Sequence, residues 1–193
     1  MGKWPMVRLG DVCTINMGQS PSSESYNDVK DGIPFYQGNA DFGEVHPEAR
    51  LYCNKPVKIA NKNDVLLSVR APIGALNIAN EKCCIGRGLC AITENENISY
   101  YKYIYYALKR KKEELIAKGT GSTFKAINKT SIESIKIPLP PLDVQKHIAN
   151  ILDKTQEIID GHKKQLAELD YLIKVVFYEM FGDPVLNEKG WDV

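Results

Sequence analysis

The feature that most constrains this chain is a heptad repeat that begins just after two prolines. Ile148, Leu152, Thr155, Ile159, His162, Leu166, Leu169, Ile173, Val176 and Met180 follow one another in steps that alternate four and three. That spacing returns apolar side chains to one face of an α-helix over several turns. It predicts a helix from about Val144 to Phe181, roughly 57 Å long at 1.5 Å per residue. Gly182 and Pro184 stop it. Pro140 and Pro141 stand where proline is tolerated, before and at the first turn. Gly161 costs about 1 kcal/mol of helix propensity, but it lies off the seam. A lone rod with an apolar seam needs a second helix to cover it, and this one outreaches a single small domain. The alternative is that the seam lies on the chain's own domain.

The portion before the prolines reads differently. Val65 to Val69 is an expected buried strand. Ile73 to Ala79 and Cys83 to Ile92 are two more, joined by a turn at Asn80-Glu81-Lys82. Gly18 to Asp31 and Asn39 to Gly43 carry the polar and glycine residues of loops. One helix is expected to be capped by Ser99, to bury Ile104, Leu108, Leu115 and Ile116, and to end at Gly119. The fold class is therefore α+β: a β-rich domain over residues 1–140, a long coiled-coil helix over 141–182, and a connecting segment over 183–193. The segment Gly190-Trp191-Asp192-Val193 echoes Trp4-Pro5-Met6-Val7 at the start, as if a second copy of the unit were beginning.

Charge is uneven although the net is only +1. Between Tyr101 and Lys136 nine lysines and arginines face three glutamates; from Pro141 onward six lysines face ten acids. Two surfaces with different partners are implied. The five cysteines contain no CxxC pair, which favours reduced, buried thiols over zinc or disulfides. No run approaches the roughly 18 apolar residues of a membrane span, so the expected location is the cytoplasm.

Chemistry-bearing candidates are binding residues. Lys118 to Lys125 alternates glycines, hydroxyls and lysines: Lys118, Thr120, Ser122, Thr123 and Lys125, with Lys129 just beyond. Backbone can approach a ligand closely there, and the side chains suit phosphate oxygens. It lacks the spacing of a P-loop; the competing reading is a plain helix-terminating loop. Gln19, Ser20 and Ser22 form one polar loop; Tyr36, Gln37 and Asn39 form another. Their amides could read adenine's edge, or the loops could simply be solvated. Arg70 follows a buried strand, and Arg87 sits between two glycines. Either could reach a phosphate or a guanine, or pair with a core carboxylate. His46, His147 and His162 have no nucleophile or metal spacing around them, so no catalytic or metal residue is assigned. His162 falls on the seam, where a polar residue sets register.

These residues resemble the specificity (S) subunit of type I restriction–modification enzymes. The resemblance covers nearly the whole chain. It is carried by Trp4 to Asp11, Gly32-Ile33-Pro34-Phe35, Ser68 to Gly74 and Arg87-Gly88-Leu89. Its most specific part is Ile137 to Leu142, followed by Gln145, Ile148-Ala149 and the long helix. The family usually has Glu before that Gln; here it is Val144. The resemblance implies a non-enzymatic reader of one half of a bipartite double-stranded DNA target. It implies a helix that pairs with a second copy or second half through Leu152, Ile159, His162, Leu166, Leu169, Ile173 and Val176, and so spaces the half-sites. It implies methyltransferase subunits that use S-adenosylmethionine and a restriction subunit that uses ATP and Mg, none of these cofactors being held by this chain. Two rival readings are a recognition domain fused to a methyltransferase–nuclease and a coiled-coil assembly protein that does not bind DNA.

Overall fold

The computed structural model describes residues 4–121, 125–183, 186, 189 and 190. The chain divides into two units, Met1–Ala149 and Asn150–Val193. In the first unit, strands β1 (Met6–Arg8) and β11 (Lys136–Pro138) pair antiparallel. A four-stranded antiparallel sheet has the order β2 (Cys13–Met17), β10 (Leu89–Glu94), β7 (Val65–Ser68), β8 (Leu76–Ile78). A five-stranded sheet has the order β3 (Tyr26–Asn27), β5 (Leu51–Cys53), β4 (Ile33–Tyr36), β9 (Cys83–Ile85), β6 (Ile59–Ala60). Its β4–β9 pair is parallel, and the pairs on either side are antiparallel. Short helices α1 (Leu9–Val12), α2 (Tyr101–Arg110), α3 (Lys112–Ala117) and α4 (Lys129–Glu133) complete the unit.

The two-residue period of β7 and β10 explains the layering. Val65 and Leu67, with Cys90 and Ile92, join a core that contains Ile104 and Leu108 of α2. Their alternates Leu66, Leu89 and Ala91 turn to the opposite face and pack with Tyr36 and Ile85 of the five-stranded sheet. The four-stranded sheet is thus covered on both faces, and its strands read as unbroken apolar runs. All five cysteines are free and buried, filling small gaps in these cores as weakly polar hydrophobes.

Several expectations are corrected here. The run Cys83 to Ile92 is two strands, not one. The turn Gly86-Arg87-Gly88 carries the chain from the five-stranded sheet to the four-stranded one. The strand expected over Ile73 to Ala79 is shorter, because Ser68 Oγ donates to the Pro72 carbonyl (2.7 Å) and accepts the Ala75 N–H (3.0 Å), holding the preceding residues in a loop. Ser99 does not cap α2: its hydroxyl donates to the Val12 carbonyl at 2.8 Å, and the Glu94 carboxylate takes the Tyr101 N–H instead. Ile116 is 41% exposed rather than inward, because the helix breaks at Lys111 and its second half restarts in a new register.

Helix α5 runs Leu142–Phe181, 40 residues, or about 60 Å. It starts two residues earlier than the heptad predicts, directly after Pro141. Its first turns belong to the first unit, where Gln145 and Ala149 are fully buried. From Asn150 onward nearly every side chain is exposed. Gly182 adopts φ +75°, and its N–H reaches back to the Tyr178 carbonyl at 2.8 Å, the usual glycine termination. Among the described residues no helix is long and apolar enough to cross a membrane.

Candidate functional site

Three loops converge because backbone hydrogen bonds stitch them to the Gly86–Leu89 turn. Gly18 N–H donates to Leu89 (2.9 Å), Gln19 N–H to Ile85 (3.0 Å), Gly86 N–H to Tyr36 (2.8 Å) and Val69 N–H to Gly88 (2.9 Å). Those partners lie at the ends of β2, β4 and β7. The approach is close enough to require glycine. A Cβ on Gly88 would stand 2.2 Å from the Gln37 carbonyl oxygen, and one on Gly18 would stand 2.1 Å from that of Gly86. Glycine supplies that room, and the side chains of Gln37 and Arg87 are brought to neighbouring stations.

The result is a concavity of about 450 Å³ whose lining includes Ser20, Gln37, Asn39, Arg70 and Arg87. Five residues picked from four segments of the sequence therefore share one hollow. Arg70 and Arg87 are both exposed, and neither guanidinium is paired with a carboxylate among the described residues, which removes the core-pair reading. Ser20 Oγ accepts the Arg87 backbone N–H at 3.4 Å, tying the first loop to the turn. A second hollow, of about 470 Å³, lies on the other side of the same short loop and is lined by Gln37, Asn39, Asp41 and Arg50 among others. The Gln37–Asn39 segment thus forms a ridge shared by two hollows, the first with Arg70 and Arg87 and the second with Arg50.

Asp41 holds that ridge in shape. One carboxylate oxygen accepts the Gln37 N–H at 2.8 Å and the Gly38 N–H at 3.4 Å. The other receives Arg50 Nε at 3.1 Å and Arg50 Nη2 at 2.5 Å. Neither residue was picked out from the sequence. The signal available was an acid three and four residues after Gly38 and Gln37, a spacing at which a short side chain can reach back to preceding backbone N–H groups.

The remaining candidates are placed less uniformly. Gln19 is exposed. Ser22 is exposed and shares a 2.5 Å hydrogen bond with Ser25. Tyr36 is a correction: it is 1% exposed and belongs to the core between the sheets. That burial keeps it from the hollow's surface; burial, then Cys83 beside it, also drives its phenol well above the ordinary range. Thr120 and Ala126 exchange backbone hydrogen bonds of 2.9 Å, and Ile127 N–H donates to Val69. Ala126 thereby bridges both Thr120 and Arg70, with Thr120 and Lys125 exposed. Ser122 and Thr123 lie outside the described residues. Lys118 Nζ donates to Ser134 Oγ at 3.2 Å, and Lys129 lies 3.7 Å from Glu133 one turn along α4. Both lysines are partly engaged within the chain. No group of three His, Cys, Asp or Glu among the described residues is placed to hold a metal ion.

On α5 the seam residues Leu152, Ile159, Leu166, Leu169, Ile173 and Val176 are 36–67% exposed. Thr155 Oγ1 turns back to the Ile151 carbonyl at 2.8 Å. His162 Nδ1 lies 3.2 Å from Gln165 Oε1. Ile151, Ile158 and Leu172, also exposed, recur at seven-residue multiples beside the seam and widen the apolar stripe.

Comparison with known proteins places this architecture. Residues 1–171 match the model of the type I restriction modification DNA specificity domain. A putative type I restriction enzyme MjaX specificity subunit from Methanocaldococcus jannaschii is 45% identical over 86% of this chain and 40% of its own length. The EcoBI specificity subunit of Escherichia coli is 23% identical over 89% of this chain and 36% of its own. Among solved structures, the HsdS subunit from Thermoanaerobacter tengcongensis superposes with a TM-score of 0.78 at 41% identity, over 94% of this chain and 45% of that one. A chain from a structure describing assembly and conformational transition of the type I R-M system gives 0.82 at 43% identity, over 91% and 44%. The chain thus spans less than half the length of these relatives. With a β-rich domain, a proline-led helix and a matching profile over most of its length, the chain belongs to the type I restriction modification DNA specificity domain family.

Proposed function

We propose that this chain reads one half of a bipartite double-stranded DNA target for a type I restriction–modification enzyme, and performs no catalysis itself. The observation that carries the reading is the hollow holding two unpaired arginines beside the Gln37 and Asn39 amides. Guanidinium groups suit phosphate oxygens and the guanine edge, and amides suit adenine. Arg70, Arg87 and Lys125 are the cations best exposed for DNA, while Lys118 and Lys129 are drawn partly into internal contacts.

The apolar stripe of α5 supports the second half of the reading. The seam fits a second helix, from another copy or a second half. The flanking Ile151, Ile158 and Leu172 exceed what one partner helix covers, which favours docking of further subunits: a methyltransferase that uses S-adenosylmethionine and a restriction subunit that uses ATP and Mg.

Titrating a labelled duplex with the chain across salt concentrations tests the DNA half. Binding should weaken steeply with salt. The double variant Arg70→Ala, Arg87→Ala should flatten the log–log slope by about 0.9 for each phosphate no longer neutralised. No affinity at low salt in the parent chain would favour a non-DNA assembly protein, and an unchanged slope and affinity in the double variant would move the DNA elsewhere.

A further inference from the structure

The ridge of Gln37, Gly38 and Asn39 is set by a contact that touches no solvent-facing amide. Asp41 is buried, and its two carboxylate oxygens have separate duties. Oδ2 binds the backbone N–H groups of Gln37 and Gly38; Oδ1 receives the Arg50 guanidinium. The Asp41 backbone carbonyl also accepts the Glu48 N–H at 2.8 Å, so the carboxylate is itself anchored. The Gln37 and Asn39 amides, by contrast, have no hydrogen-bond partner among the described residues. Backbone held and amides free is the arrangement bidentate reading requires: the ridge arrives ordered, and its amides remain available for a base edge.

We infer that Asp41, charge-balanced by Arg50, is a positioning residue for sequence discrimination, acting through the backbone of Gln37 and Gly38. The inference rests on the DNA-reading function proposed above. The buried carboxylate serves both backbone N–H groups and the exposed Arg50 guanidinium through hydrogen bonds, and so closes the turn. Removing that acceptor oxygen loosens the ridge while leaving the hollow's arginines in place. Base discrimination should therefore fall while general affinity for DNA persists.

The test is the methylation motif written in cells that carry the complete enzyme with the parent chain, Asp41→Ala, Asp41→Asn, Arg50→Gln or the pair Gln37→Ala, Asn39→Ala. The parent chain should give a defined gene-dependent motif. The Gln37→Ala, Asn39→Ala pair should relax it at particular base positions. Asp41→Ala should relax those same positions roughly ten-fold, within the range a lost bidentate contact spans. Asp41→Asn, which still offers an oxygen to the Gln37 N–H, should recover most of the loss, and Arg50→Gln should fall between. If Asp41→Ala does not accumulate as soluble chain, Arg50→Gln and Asp41→Asn carry the comparison, because neither removes the acceptor oxygen. An unchanged motif in Asp41→Ala, or in Arg50→Gln when Asp41→Ala is absent, overturns the positioning role if the Gln37→Ala, Asn39→Ala pair has relaxed the motif. Uniform loss at all positions overturns it too. Absence of any gene-dependent motif with the parent chain instead overturns the DNA-reading function itself.

Discussion

Gln145 Oε1 accepts the backbone N–H of Tyr100 at 3.0 Å, across 45 residues of sequence. The same amide's nitrogen donates to the carbonyls of Ile98 (2.9 Å) and Pro140 (2.8 Å). One fully buried side chain thus joins the first turn of α5, the proline bend before it and the start of α2. An unsatisfied buried backbone group costs about 1–3 kcal/mol; Gln145→Ala strips the partner from the buried Pro140 carbonyl and from two part-buried groups, and empties a fully buried side-chain site. The full chain should lose about 3 kcal/mol or more, lowering Tm by roughly 6–12 °C for a domain of this size. A melting curve within 2 °C of the parent would show that water replaces the amide without loss.

Gly88 and Gly38 give a paired prediction for the hollow. A Cβ at position 88 collides with the Gln37 carbonyl at 2.2 Å, whereas one at Gly38 meets nothing within 4 Å. Gly38 is also extended, at φ −172°, a conformation any residue adopts. Gly88→Ala should therefore destabilise the chain by about 2 kcal/mol or more and weaken DNA binding, with Gly38→Ala within about 0.5 kcal/mol of the parent. Urea denaturation of both variants checks this; equal stability would mean the turn can shift away from Gln37.

Alkaline stability should report the buried thiols. Burial pushes Cys13 and Cys84 up to about 11, and Cys83 and Cys90 up to about 12, from an ordinary 9.0. The folded chain keeps protons that the unfolded chain releases, so stability is intact below pH 9 and falls as pH rises toward 11–12. Each thiol contributes a slope of up to about 1.4 kcal/mol per pH unit. Cys90→Ala should make the decline shallower by one thiol's share. Parallel curves for the two proteins above pH 9 would contradict the assignment.

The exposed seam should drive association. Burying each of Leu152, Ile159, Leu166, Leu169, Ile173 and Val176 is worth about 1.5–3 kcal/mol, much of it offset by lost rigid-body freedom. An antiparallel pair about a two-fold axis is expected, with affinity near micromolar because Thr155 and His162 interrupt the stripe. Light scattering over a concentration series should show a dimer that Leu166→Asp or Leu169→Asp dissolves. A strict monomer, indifferent to both substitutions, would mean that this helix needs a different partner.

The long helix was legible because a heptad repeats one local rule ten times, and the thiols because their spacing matched no ligand set. Arg87 drew notice through its flanking glycines, but the close approach of those glycines to Gln37 is a contact between loops that the sequence did not indicate. Tyr36 was misread for a physical reason: Ile33-Pro34-Phe35-Tyr36 is a central strand covered on both faces, so no polar–apolar alternation marks which side chain points out. Asp41 and Arg50 were missed because their value lies in a contact between loops, which no periodicity encodes. Lys118 looked like part of the glycine loop, yet α4 brings Ser134 to it from 16 residues away.

The central claim is that the hollow around Gln37, Asn39, Arg70 and Arg87 reads DNA sequence. Methylome sequencing of cells with and without this gene, and with Gln37→Ala or Arg87→Ala in its place, tests it most directly. A bipartite motif should be present only with the gene and be relaxed at defined bases by either substitution. A methylome indifferent to the gene, or a motif that both substitutions leave intact, would contradict it.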